Sequence, residues 1–213
     1  MLIVHHLGIS QSDRIVWLCE ELAIPYELIR YERDPVTRLA PPEYRALHPF
    51  GTAPIITDGD LVLSESGAII QYIIAKYGNG RLEVTPDSPN YAQFLFWFHF
   101  ANGSVMPSAM IDLVVNLIGE KSPPAVLTAL CERSARAYAM LETRLGEVPY
   151  LAGNEFTAAD IIMLFPLSTM RAFVPRDLTP YPQIRSYLER IAARPAFQTA
   201  MAKADPGFSP PMS

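Results

Sequence analysis

Cysteine is scarce in this chain: Cys19 and Cys131 are the only two among 213 residues, and no Cys-x-x-Cys pair occurs. That argues against a disulfide framework, a cysteine-based zinc site and a dithiol redox centre, and both thiols are expected to be reduced core residues. Histidine is also sparse, and His5, His6, His48 and His99 show no ligand spacing such as two histidines one turn apart on a helix, so no metal is expected. Apolar runs approaching the roughly 20 residues that cross a bilayer are missing, so no membrane partner is expected. Basic residues are the minority, 17 Lys and Arg against 22 Asp and Glu for a net charge of −5. With no basic stripe to neutralise phosphates, nucleic acid is not an expected partner. The opening Met1-Leu-Ile-Val-His5-His6 has no basic segment and a very short apolar run, so it does not read as a signal peptide, and a cytoplasmic location is the expectation.

What is present is a well-filled core: 50% of the residues are hydrophobic and 18% charged, in a chain long enough for one large domain or two small ones. Short apolar stretches at Leu2 to Val4, Tyr26 to Ile29, Pro54 to Thr57 and Leu61 to Leu63 are bounded by turn formers and read as strands. Between the first two, Ile15, Leu18, Cys19 and Leu22 line one helix face, giving a right-handed βαβ unit with parallel strands. Asp58-Gly59-Asp60 is a hairpin signal, so the last two strands pair antiparallel. Ile69, Ile70, Ile73, Ile74 and Tyr77 then repeat at helical spacing up to Gly78-Asn79-Gly80, a helix stop. Residues 78–90 gather turn formers without periodicity and predict a linker. Beyond them only the 3.6-residue repeat recurs, through Phe94 to Val105, Leu127 to Leu145 and Ile184 to Ile191, which predicts a helical bundle. Within it Thr157-Ala-Ala-Asp160 reads as a capping box, and Pro166 predicts a kink near Ile162. Asn102-Gly-Ser104 matches a glycosylation acceptor but falls inside a predicted helix and is set aside.

Three loops carry candidate chemistry. The loop after the first strand, Leu7 to Arg14, feeds a helix N-terminus, where unpaired amides and the helix dipole favour an anion or thiolate beside Ser10 or Ser12. Either serine alternatively serves as the N-cap of that helix. A Ser-His-Asp hydrolase using His5 or His6 is disfavoured, because no Gly-x-Ser-x-Gly elbow occurs and adjacent strand residues face opposite ways. Pro49-Phe-Gly51-Thr52-Ala53-Pro54 delivers a proline to the start of a strand, with a trans bond as the default. Leu63-Ser-Glu65-Ser66-Gly67 opens the next helix; Ser66 with first-turn amides suits a carboxylate and Glu65 an ammonium, or Ser66 is a plain cap.

In this order and register, Ser10-x-x-x-Arg14, Gly51-x-x-Pro54, Glu65-Ser66, and Gly153 followed by the Phe156-to-Asp160 box resemble a cytosolic glutathione transferase over nearly the whole chain. Arg14 to Glu21, Leu39 to Tyr44 and His48 to Gly51 are most similar to bacterial and fungal members related to yeast Gtt-one-type transferases. The resemblance implies an α/β plus all-α chain: a thioredoxin-like N-terminal domain (βαβ-α-ββα) over residues 1–79, a linker over 80–88 and an all-helical domain over 89–213. It implies that Ser10, with Ser12 as the alternate, donates to the sulfur of glutathione as cosubstrate. Pro54 becomes a cis-proline; Thr52, Ala53 and Pro54 flank the cysteinyl part, and Glu65 and Ser66 take the γ-glutamyl end. Where the family often has a Lys or Arg after the glycine, Thr52 stands here, leaving Arg38, Arg45 and His48 as candidates for the glycyl carboxylate. A cytoplasmic homodimer acting in detoxification on a small apolar electrophile is implied, with Phe98, Asn102, Met106 and Met110 as candidate lining. Lowering a thiol pKa from 8.5 by about two units needs roughly 2.7 kcal/mol, within reach of one charge-assisted hydroxyl bond and a helix terminus. The alternative is a non-catalytic glutathione-binding or interaction protein of the same fold.

Overall fold

The computed structural model describes residues 1–119 and 124–213. Contacts divide the chain into two compact units, Met1–Glu83 with Ala193–Ser209, and Val84–Ala192 with Pro210–Ser213.

The first unit runs β1 (Leu2–Leu7), α1 (Asp13–Leu22), β2 (Glu27–Tyr31), α2 (Pro42–Arg45), β3 (Ile55–Asp58), β4 (Leu61–Ser64) and α3 (Ser66–Tyr77). The strands form one sheet in the order β2-β1-β3-β4. β1 is parallel to β2 with His6 opposite Arg30, and antiparallel to β3. The β3–β4 hairpin turns at Gly59, whose φ of 63° needs the left-handed region that glycine occupies without cost. Ile15, Val16, Leu18, Cys19 and Leu22 of α1 and Ile69, Ile70, Ile73 and Ile74 of α3 are buried, so both helices present the apolar stripes their spacing predicts.

The second unit is helical: α4 (Tyr91–Phe100), a π turn (Ala101–Val105), α5 (Met106–Ile118), α6 (Ala125–Glu147), α7 (Ala158–Leu167), a 3₁₀ turn (Thr169–Ala172) and α8 (Pro182–Ala192). The regular helix expected through Val105 is thus interrupted, and Asn102 sits in the wider turn. α7 is buried at every position and opens on the expected capping box, with Asp160 Oδ2 accepting from the Thr157 amide at 2.9 Å. Pro166 lies in its last turn, and the helix ends one residue later. Tyr91–Ile118 is, by length and composition, apolar enough to cross a membrane. It nevertheless packs α4 on α7 and α5 on α6, and Asp112 within it pairs with Arg176 at 3.0 Å. Such a charged pair is expensive in hydrocarbon. Cys19 is a buried free thiol, as expected, whereas Cys131 is only partly buried. The last helix, α9 (Pro195–Ala204), has an apolar period like those of the bundle, yet it packs on α1 and belongs to the sheet unit.

Candidate functional site

The loop leaving β1 folds tightly back on itself. Ser12 stands at the N-cap position of α1, but its side chain makes no capping bond. Its Oγ instead accepts from the Leu7 amide at 3.1 Å and lies 2.7 Å from Ser10 Oγ and 2.9 Å from His6 Nδ1. Ser10 Oγ donates to the Leu7 carbonyl at 2.6 Å. Ser12 and His6 are fully buried, while Ser10 keeps 5% of its surface. The capping explanation therefore fails for Ser12, and a hydrolase nucleophile fails too, because the serine that touches the imidazole has no exposure.

Around this loop the backbone is held in an uncommon shape. Ile9 has a φ of +48°, an outlier for a β-branched residue. Its amide donates to Asp205 Oδ1 at 2.9 Å, and Arg33 donates from Nε to the Gly8 carbonyl at 2.8 Å. Asp205 Oδ1 also lies 3.1 Å from His6 Nε2, a close polar contact whose alignment falls short of a hydrogen bond. Burial raises the Asp205 carboxyl, but His6 and the Ile9 amide outweigh it and hold the group below the usual carboxylate range. Neighbouring His5 faces the other way, with Nδ1 3.1 Å from the Tyr31 hydroxyl and Nε2 3.2 Å from Thr57 Oγ1, the role of a satisfied core residue.

The three loops expected to carry chemistry are physically joined. Buried Arg14 donates from Nη1 to Gln11 at 2.9 Å and to Ser66 Oγ at 3.2 Å. Burial pushes its guanidinium down to about 10, which leaves it a cation at neutral pH. Ser66 opens α3 and is buried; exposed Glu65, just before it, has a φ of +73°. Such a conformation costs about 1–3 kcal/mol and persists where surrounding structure imposes it. Ser64 Oγ donates to the Pro54 carbonyl at 3.2 Å, tying the second loop to the third. The Ala53–Pro54 bond is cis, as the resemblance implies and against the trans default. Ala53 packs beside Leu7, Tyr44 and Ile55, and Thr52 is exposed.

The candidates for a carboxylate partner separate. The Arg45 side-chain stem lies where a Cβ on Gly51 would meet it at 3.5 Å, next to the second loop. Arg38 instead lines a cavity of about 170 Å³ with Gly8, Arg30, Arg33 and Asp205. His48 Nδ1 accepts from the Phe50 amide at 3.2 Å. Of the expected lining, Phe98 and Met106 are buried core, Met106 packing with Phe165, Met170 and Val174; Asn102 is half-buried and Met110 exposed. Sequence reasoning missed Asp205 and Arg33 entirely and weighed His6 only as part of a hydrolase triad. Strand alternation already set His6 apart from His5, but nothing local could tie it to a residue nearly two hundred positions away.

Models of the glutathione S-transferase N-terminal and C-terminal domains match residues 5–81 and 105–195. Glutathione S-transferase 3 of Schizosaccharomyces pombe is 33% identical, the match covering 96% of this chain and 88% of that protein. Glutathione S-transferase 3 of Zea mays is 32% identical, covering 94% and 92%. The crystal structure of a glutathione S-transferase from Actinobacillus pleuropneumoniae superposes with a TM-score of 0.88 at 30% identity, covering 98% of this chain and 97% of that one.

Proposed function

The chain belongs to the glutathione S-transferase family and is a glutathione transferase with glutathione as cosubstrate, and we propose that it is of the serine type, Ser10 holding the glutathione sulfur as a thiolate. The observation that carries this reading is the division of labour between two hydroxyls 2.7 Å apart: Ser12 is fully buried, whereas Ser10 retains 5% of its surface. Turning the Ser10 O–H from the Leu7 carbonyl to a sulfur costs one neutral hydrogen bond and gains one to an anion, which is the stronger kind. Ser12 supports Ser10 rather than touching the sulfur.

The Ala53 backbone, beside cis-Pro54 and Thr52, pairs with the cysteinyl part of the tripeptide. Ser66 and the first-turn amides of α3 take the γ-glutamyl carboxylate, Glu65 its ammonium, and Arg45 is the favoured cation for the glycyl end. Arg14, bonded to Ser66, keeps a positive charge behind the γ-glutamyl site. The thiolate attacks a small apolar electrophile, and the same thiolate supports glutathione-dependent peroxide reduction; detoxification in the cytoplasm by a homodimer is the setting this implies.

Ultraviolet thiolate absorbance of bound glutathione, followed against pH in wild type and Ser10→Ala, tests the assignment. Loss of one hydrogen bond to a charged group, about 1.5–3 kcal/mol, raises the titration midpoint by about one to two units and lowers conjugation at neutral pH about tenfold to a hundredfold. An unchanged midpoint in Ser10→Ala refutes the role of Ser10. A wild type that binds glutathione yet leaves its thiol titrating as in water favours the binding-protein reading.

A further inference from the structure

We propose that His6, backed by Asp205, accepts the proton of the glutathione thiol through Ser12 and Ser10. The proposal rests on Ser10 being the partner of the sulfur. Its basis is an unbroken line of polar contacts: 2.7 Å from Ser10 Oγ to Ser12 Oγ, 2.9 Å from there to His6 Nδ1, and 3.1 Å from His6 Nε2 to Asp205 Oδ1. His6 and Ser12 are fully buried and Asp205 is 6% exposed, so bulk water does not compete along the line.

From the sulfur to His6 Nδ1 the donor and acceptor inventory closes in both states, and Nε2 faces Asp205 Oδ1 as a close electrostatic contact. Before glutathione ionises, neutral His6 carries its proton on Nε2, facing the carboxylate, and Nδ1 accepts from the Ser12 hydroxyl. Ser12 Oγ meanwhile accepts from the Leu7 amide and from the Ser10 hydroxyl, which turns from the Leu7 carbonyl to Ser12 as the thiol comes to donate to Ser10 Oγ. On ionisation the thiol proton passes to Ser10 Oγ, the former Ser10 proton to Ser12 Oγ, and the former Ser12 proton to His6 Nδ1. One S–H bond breaks and one N–H bond forms; each serine ends with a single proton, and no electrons or other reactants are needed. Afterwards Nδ1–H and the Leu7 amide both donate to Ser12 Oγ, Ser12 donates to Ser10, and Ser10 donates to the sulfur. Every dipole along the line then points at the anion.

The imidazolium so formed faces an ionised carboxylate. Asp205 sits below its usual range despite burial, and the other charged groups around it are Arg30, on the strand position opposite His6, Glu32, Arg33 and Arg38, which line the same cavity. Arg30 is itself engaged by Glu32 at 3.0 Å and by the Ala204 carbonyl at 2.8 Å, and Arg33 by the Gly8 carbonyl. A single structural explanation does not cover these features: Ser12 gives up its own helix cap to face His6, and a fully buried imidazole is matched to a carboxylate from the far end of the chain. His6 is a positioning and proton-holding residue that acts through the serines.

Calorimetry of glutathione binding in buffers of different protonation enthalpy, paired with thiolate absorbance, counts the protons released per thiolate formed. In wild type, thiolate forms with well under one proton released. His6→Gln, whose amide hydrogen-bonds but is not basic enough to take up a proton, has its thiolate midpoint raised by about one unit or more, releases a full proton for whatever thiolate forms, and loses kcat with KM for glutathione little changed. Asp205→Asn, which preserves an acceptor for the Ile9 amide, moves the midpoint the same way by a smaller amount and decides the matter if His6→Gln does not fold. Release of a full proton per thiolate in wild type overturns the proposal. If Ser10→Ala shifts the midpoint while His6→Gln and Asp205→Asn do not, the relay is wrong and the Ser10 assignment stands. If Ser10→Ala has no effect, both fall.

Discussion

Asp160 has no solvent exposure, and the Leu151 amide, the Thr157 amide and the Tyr187 hydroxyl converge on its carboxylate at 2.9, 2.9 and 3.1 Å. Burial pushes its pKa up to about 6, the hydrogen bonds only partly offsetting the loss of hydration. In an unfolded chain the same group titrates near 3.9. The raised folded value means that this residue stabilises the fold below about pH 4 and that the contribution is lost as pH rises through 6, by about 3 kcal/mol in all. Carboxylates such as Asp58, held low by Lys76 and Tyr77, and Asp205 act with the opposite sign. Subtracting Asp160→Asn from wild type cancels them. We predict that the difference in unfolding free energy, wild type minus Asp160→Asn, falls by about 2–3 kcal/mol between about pH 4 and about pH 7; denaturant titrations that give a flat difference contradict the raised pKa.

At the scale of elements, what was legible in the sequence was what is local. The Asp58-Gly59 hairpin, the Thr157 capping box and the stop at Gly78 each depend on residues within one turn of each other, and each appears where spacing predicts it. The allegiance of α9 was not legible, because a 3.6-residue period shows which face is apolar and not what covers it. What covers it is α1: Phe197 meets the Trp17 ring edge-on at 5.3 Å, Arg194 grips Glu21 with two bonds of 2.6 and 2.7 Å, and Glu21 also accepts from Trp17 Nε1 at 2.9 Å. The short α2 shows no periodicity in its four residues and was expected only from the resemblance, and the π turn escaped because Ala101 and Val105 keep a helical spacing in the sequence. If α9 is integral to the sheet unit, Phe197→Ala costs about 3–5 kcal/mol, as for other buried aromatic truncations. The denaturant midpoint should drop with an unchanged slope while Trp17 fluorescence shifts in the native state; a loss below about 1 kcal/mol would mean that α9 is only loosely attached.

For the molecule as a whole, the sequence exposed the three site loops but not their linkage. Ser66 and the Ser10 loop lie far apart in sequence and are linked by Arg14, which bonds Gln11 and Ser66, while the His6–Asp205 contact exists because α9 returns to the sheet. The same limit applies to association. α4 is apolar nearly all round, and on the second unit Phe96 and Met140 remain 44% and 43% exposed. Phe96 stacks on Phe100 at 5.1 Å, and a groove of about 430 Å³ is lined by Gln93, Trp97, Met140 and Thr143. Soluble monomers seldom leave such aromatic surface contiguous, whereas an isologous pair covers it twice with one patch. Wild type should therefore sediment at about twice the 23.7 kDa chain mass, and Phe96→Glu, which places a charge on that face, should sediment as the single chain. Because Ser10, Ser12, His6 and Asp205 all belong to the sheet unit, the dissociated variant should still bind glutathione and show the wild-type thiolate midpoint. A wild type that sediments as one chain removes the dimer, and a Phe96→Glu monomer whose bound thiol no longer ionises would show that the sulfur site needs the second subunit.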